Sequence, residues 1–129
     1  MQENPVYQDV VGEVFDYLRQ RRDALLAAGV EQARIALDPG IGFGKTTEHN
    51  LALLAHVGRF HALGCCLMVG PSRKRFIGEA IGEQDMDRAA GTIGVALALA
   101  RAGVAILRVH DVAAVRQALA AFAACGGRE

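Results

Sequence analysis

Apolar residues recur along this chain in two alternating rhythms. Val10, Val11, Val14, Phe15, Leu18, Leu25 and Leu26 repeat at helical spacing and predict a helix over residues 6–28, stopped by Gly29. Arg19 to Asp23 form its polar, solvated face. A short apolar run at residues 34–37 then predicts a strand, and a Gly-rich stretch leads into a helix opened by His49-Asn50. That helix carries Leu51, Leu53, Leu54, Val57 and Phe60 and ends at Gly64. Residues 65–69 are continuously apolar, which predicts a fully buried strand with Met68 in the core. A second Gly-containing loop follows at residues 70–75, then a short helical turn at residues 76–81. A third helix is expected over residues 88–101, capped by Asp87 or a neighbour, with Gly91 and Gly94 implying close packing. Residues 104–107 predict a third strand, and residues 112–124 a last helix closing at Cys125-Gly-Gly.

The order is a helix followed by three βα repeats, the grammar of a parallel α/β protein with right-handed crossovers. A complete (β/α)8 barrel takes about 250 residues, so 129 residues amount to half of one. The expected fold class is therefore α/β, with parallel βα repeats forming roughly the C-terminal half of a TIM barrel.

Composition narrows the function classes. The formal net charge is zero, which argues against a general binder of nucleic acid or acidic membrane and requires any positive site to be local. Hydrophobic residues make up 52% of the chain, enough for one globular unit with a substantial core. Cys65, Cys66 and Cys125 are odd in number and have no zinc-like spacing, so reduced thiols and a cytoplasmic location are expected. The first residues resemble no signal peptide, and no apolar run approaches the roughly 20 residues of a membrane span.

Candidate chemistry concentrates at the strand ends. Asp38-Pro-Gly-Ile-Gly-Phe-Gly-Lys45 places a carboxylate where the first strand stops. Pro39 holds Asp38 toward an extended backbone, and the glycines let main chain approach a ligand. Two nucleotide motifs fail on spacing. A P-loop would need glycine at Pro39, and a dinucleotide fingerprint would need it at Lys45 or Thr47. The second strand ends at Ser72, Arg73 and Lys74, the third at Arg108 and His110. Parallel strands bring these ends to one edge. A carboxylate beside several cations suits a ligand with a polar heterocycle and phosphate. Taken singly, the members have plainer readings. Asp38 could bridge to Lys74, Arg73-Lys74-Arg75 could be a solvated run, and His110-Asp111 could open a helix, with Asp111 favoured as its N-cap. His61 receives no function.

Asp38-Pro-Gly-Ile-Gly-Phe-Gly-Lys45 with His49-Asn50, then Gly70-Pro-Ser-Arg-Lys-Arg75, then Arg108-Val-His-Asp-Val112, resembles the C-terminal half of the bacterial dihydropteroate synthases. The likeness runs over essentially the whole chain, including Met1-Gln2, Pro5 and Tyr7. It implies a pterin-binding TIM-barrel domain, represented in part by residues 1–129. It also implies the condensation of (7,8-dihydropterin-6-yl)methyl diphosphate with 4-aminobenzoate to 7,8-dihydropteroate and diphosphate. Carried onto this chain, Asp38 resembles the pterin-binding aspartate. Lys74 resembles the lysine that contacts the pterin and borders the aminobenzoate pocket. Arg108 and His110 resemble the diphosphate-binding pair. Phe43, Gly70 and Ser72 would help form the aminobenzoate and sulfonamide pocket. Asp38, Lys74 and Arg108 are the expected catalytic residues.

The likeness departs where the family's first four or five βα units would stand. With them go an early loop whose asparagine helps hold magnesium, and two loops that complete the aminobenzoate site. Magnesium is therefore expected, with its ligand outside this chain and no metal ligand within it. The isolated chain is expected to be inactive and to associate with an N-terminal half or with a second copy, since a half-barrel leaves sheet edges and apolar surface unpaired. Two alternatives stand beside this reading: a folate-dependent methyltransferase module, and a non-catalytic half-barrel that binds or scaffolds a partner. The Ser72-Arg73-Lys74 loop and Arg108-Val-His110 favour the synthase over the methyltransferase.

Overall fold

The first helix begins where a cap is available, not where the apolar pattern begins. In the computed structural model, which describes residues 6–84 and 86–127, α1 spans Val10–Ala27. Asp9 Oδ1 accepts the Gly12 N–H at 3.1 Å, and Glu13 Oε2 accepts the N–H groups of Gln8 and Asp9. These bonds satisfy donors that a helix start leaves orphaned, so the helix starts later than the expected residue 6. Met1, Gln2 and Pro5, which belong to the resemblance, lie outside the described residues.

Strand β1 is Ala36–Leu37, shorter than expected because Gln32–Arg34 closes into a 3₁₀ turn. Helix α2 is Thr47–Ala55. It begins with a reciprocal cap: Thr46 Oγ1 accepts the His49 N–H, and His49 Nδ1 accepts the Thr46 N–H. The expected single helix to Gly64 changes hand-hold at His56, and Val57–Leu63 continues as a 3₁₀ helix. Val57, Phe60 and Leu63, all buried there, are three residues apart, the spacing that a three-residue turn stacks on one side.

Strand β2 is Cys66–Val69, α3 is Arg75–Ile81, α4 is Ala89–Arg101, β3 is Ile106–Leu107 and α5 is Val112–Ala124. Asp87 Oδ1 accepts the Ala89 N–H at the start of α4, and Asp111 Oδ1 accepts the Ala114 N–H as the N-cap of α5. The two glycines of α4 differ. A Cβ at Gly91 would stand 2.5 Å from Ile77 Cγ2, so α4 does pack closely on α3 there; a Cβ at Gly94 would meet nothing within 4 Å, so no packing explains that glycine.

The three strands pair in the order β1-β2-β3, all parallel. The β2–β3 ladder extends past the two-residue strand, because Ala105 N–H donates to Leu67 C=O and Arg108 N–H to Val69 C=O. Register sorts the side chains onto two faces. Leu37, Leu67 and Val69 are buried in the core formed with α1, α2, the 3₁₀ helix, α3 and Leu99 of α4. On the other face Ala36, Cys66 and Ile106 are exposed and Met68 is half-buried. The fully buried strand expected at residues 65–69 is thus covered on one face, and Met68 lies outside the core. Right-handed crossovers place successive helices on the same side of such a sheet, and among the described residues no helix covers the opposite one.

Candidate functional site

Parallel pairing carries the C-terminal ends of β1, β2 and β3 to one edge of the sheet, and the predicted charges stand there. Asp38 follows β1 directly. Its Oδ1 accepts the Gly40 N–H at 2.8 Å, and the carboxylate is exposed. Among the described residues the ion pairs are Arg19–Asp16, Arg22–Asp23, Arg34–Glu31 and Arg75–Glu79. Asp38 is therefore not engaged in a bridge to Lys74, whereas Arg75 is a surface group paired along its own helix.

The chain has two lysines, and both are at this edge. Lys45 Nζ donates to the carbonyls of Gly40 and Phe43 at 2.9 and 3.0 Å, closing the loop after β1 on itself. Lys74 Nζ donates to the Ile41 carbonyl and lies 4.4 Å from the centre of the Phe43 ring. Phe43 is half-exposed and presents an aromatic face to the site rather than to the core. Burial holds both lysines below their ordinary pKa, because it penalises the ammonium. The Asp38 charge pulls both back up. Each also feels a neighbouring cation, Lys74 for Lys45 and Arg108 for Lys74. A local positive field beside one free carboxylate thus arises in a chain of zero net charge.

Gly70, Ser72, Lys74, Arg108 and His110 line one cavity of about 100 Å³. It brings together five of the seven residues singled out from sequence. Asp38 and Phe43 lie outside its lining; Phe43 joins the site through its contact with Lys74, and Asp38 through its place at the same sheet edge. A roomier cavity of about 420 Å³ lies past Ser72, between the starts of α4 and α5, and is lined by Arg73, Asp87, Thr92 and Asp111. It holds neither Asp38 nor either lysine.

Asn50, Ser72 and Thr92 are the buried polar residues among those described, and they share one task. Asn50 Oδ1 accepts the Gly42 N–H at 2.9 Å, in the loop after β1. Thr92 Oγ1 accepts the Arg73 N–H at 2.9 Å, in the loop after β2. Ser72 Oγ accepts the His110 N–H at 3.1 Å, after β3, and also meets His110 Nδ1 at 2.7 Å. Each strand-end loop is anchored by one buried acceptor. With Nδ1 engaged, Nε2 is the His110 nitrogen left to meet a ligand.

Sequence reasoning missed Asn50, Lys45 and Thr92. A signal was present for two of them. Asn50 lies three and seven residues before the buried Leu53 and Val57, and Thr92 four and seven before the buried Ala96 and Leu99. A polar residue on the buried stripe of a helix needs a partner, and here that partner is loop main chain. Among the described residues no three His, Cys, Asp or Glu side chains gather as a metal site. No described helix is long and apolar enough to cross a membrane.

The family described as pterin binding enzyme matches residues 1–110. The chain is 49% identical to a dihydropteroate synthase of Neisseria meningitidis serogroup C, over 98% of its own length and 45% of that relative's. It superposes on a crystal structure of dihydropteroate synthase from Stenotrophomonas maltophilia with active site-bound imidazole at a TM-score of 0.93. There the identity is 44%, over 98% of this chain and 48% of that one. A dihydropteroate synthase from Xanthomonas albilineans in complex with 7,8-dihydropteroate gives a TM-score of 0.90 and 43% identity, over 98% and 48% of the two chains. The chain spans under half the length of these relatives.

Proposed function

This chain belongs to the pterin binding enzyme family, and we propose that it carries the C-terminal half of a dihydropteroate synthase site. The observation that carries the reading is the convergence of Lys74, Arg108 and His110 on one cavity at the edge where the exposed carboxylate of Asp38 also stands, outside any ion pair among the described residues. The complex of the Xanthomonas relative with 7,8-dihydropteroate supports the same ligand class.

In this reading Asp38 accepts N–H donors of the dihydropterin ring and stabilises positive charge that develops there. The reaction breaks the C–O bond between the pterin methylene and diphosphate. Its electron pair leaves with diphosphate, and Arg108 and His110 Nε2 stabilise that growing negative charge. The amine nitrogen of 4-aminobenzoate forms the new N–C bond with its lone pair, and the proton it loses passes to the departing diphosphate or to solvent. Lys74 lies between the two halves of the site, over Phe43, whose exposed ring offers an apolar face to the benzoate ring. Gly70 and Ser72 form the wall beside them, and Ser72 fixes the tilt of the His110 imidazole. No side chain needs to form a covalent intermediate. Magnesium would offset diphosphate charge when bound, and no step here depends on it.

The complete reaction belongs to an assembly in which the open sheet face, with Ala36, Cys66 and Ile106, is covered by an N-terminal half or a second copy. The three free cysteines suit a cytoplasmic setting. Calorimetry with the pterin diphosphate and magnesium tests the reading, on this chain and on Asp38→Asn. The expected result is binding by the parent chain, weakened by the variant about 30-fold or more, the worth of a charge-assisted hydrogen bond. Equal affinity of the two chains would reject Asp38 as the pterin contact and favour a scaffold reading.

A further inference from the structure

Lys74 is a long, flexible side chain, yet the reading above asks it to stand at one place between two ligands. Its N-cap position at α3 fixes only its backbone. What holds the ammonium is the Ile41 carbonyl. That carbonyl belongs to the same planar amide as the Gly42 N–H, and the Gly42 N–H is held by Asn50 Oδ1 at 2.9 Å. One peptide group therefore links Asn50 on one side to Lys74 on the other. Because an N–H must donate, the contacting Asn50 atom is its oxygen, and no amide flip alters the assignment.

We infer that Asn50 is a positioning residue for Lys74, acting through the Ile41–Gly42 peptide. Three further observations agree. Asn50 is 2% exposed, so its role is to hold main chain rather than to meet a ligand in the site. The peptide sits at Gly42, with φ +84° and no room for a Cβ, which would lie 2.7 Å from Lys74 Cδ. The lysine stem thus lies directly across the glycine that Asn50 holds. The helix carrying Asn50 is itself tied to the one Lys74 caps, through Thr47 Oγ1 and Glu79 Oε2. Donation of the Gly42 N–H to Asn50 also polarises the amide, making the Ile41 oxygen a better acceptor for the ammonium. Loss of the Asn50 acceptor frees the peptide to turn, and Lys74 loses its stop.

The inference rests on the reading of Lys74 as a ligand contact, but its test needs no ligand. The full chain, isotope-labelled in nitrogen, is read by lysine Nζ–H correlation spectra at low temperature. With two lysines in the chain, Lys74→Met assigns both signals. In the parent chain the Lys74 ammonium exchanges slowly. In Asn50→Leu it exchanges about tenfold faster, the loss of roughly one hydrogen bond, while amide signals of β2 keep their positions. In Asn50→Asp, which keeps an acceptor in place, slow exchange is retained. If Asn50→Leu gives no folded spectrum, Asn50→Ser, too short to reach Gly42, is read in the same way. Unchanged Lys74 exchange in a folded variant without the acceptor overturns the inference, as does equal acceleration in Asn50→Asp. Pterin diphosphate binding by Lys74→Met separates the two claims. Unimpaired binding would remove Lys74 from the site and leave the exchange result standing on its own.

Discussion

The loop after β1 and the loop after β2 solve one problem in two ways. Each must turn the chain sharply at a strand end and leave a lysine in the site. The first enters left-handed backbone at glycine, as at Gly42, where φ is +84°. The second enters it at Arg73, where φ is +57° and the side chain is not glycine. A left-handed residue with a Cβ costs about 1–2 kcal/mol, and something must hold it there. Thr92 does so by accepting the Arg73 N–H from a buried position. Where main chain and a lysine stem cross closely, as at Gly42, only glycine fits. Where the side chain points to solvent, as at Arg73, one buried hydroxyl is enough.

Substitutions can break or sharpen that contrast. Gly42→Ala should have the largest effect, about 2–3 kcal/mol by denaturant unfolding, the sum of left-handed backbone and a displaced Lys74 stem. A cost near zero would mean that glycine there is not required. Thr92→Val should cost about 1–2 kcal/mol, because the Arg73 N–H loses its buried acceptor. Arg73→Gly should be neutral to stabilising by at most about 1 kcal/mol, since relief of strain is offset by a freer unfolded chain. Combined with Thr92→Val, it should recover part of that variant's loss. Strict additivity of the two changes would show that Thr92 does not act on the Arg73 backbone.

The smallest effect is a slope with pH. Burial lowers the folded-state pKa of Lys45 and Lys74 below 10.5, the value each would have unfolded. Between the lowered value and 10.5 the unfolded chain binds more protons, so stability rises with pH in that window; below it the burial penalty is fully present. Urea midpoints measured up to pH 10.5 should show this rise, and Lys45→Met or Lys74→Met should flatten it. An unchanged slope in both variants would show that the rise does not come from these two ammonium groups.

Repeats of apolar runs and amphipathic segments were enough to determine the three strands, their parallel order and the helices between them, because burial period and loop length leave few other topologies. Short capping signals such as Asp111 were legible too, since a cap acts within three residues. The charged strand ends followed from strand order alone. Tertiary structure decided what depends on distance in space between residues far apart in sequence. It showed that the sheet is covered on one face, which register and crossover hand determine together. It joined Ser72 to His110 across 38 residues and Thr92 to Arg73 across 19. It also chose the partner of Asn50, a polar residue on the buried stripe of a helix, and made it the anchor of the peptide that holds Lys74. A buried acceptor has to find a donor, but only the folded chain determines which one.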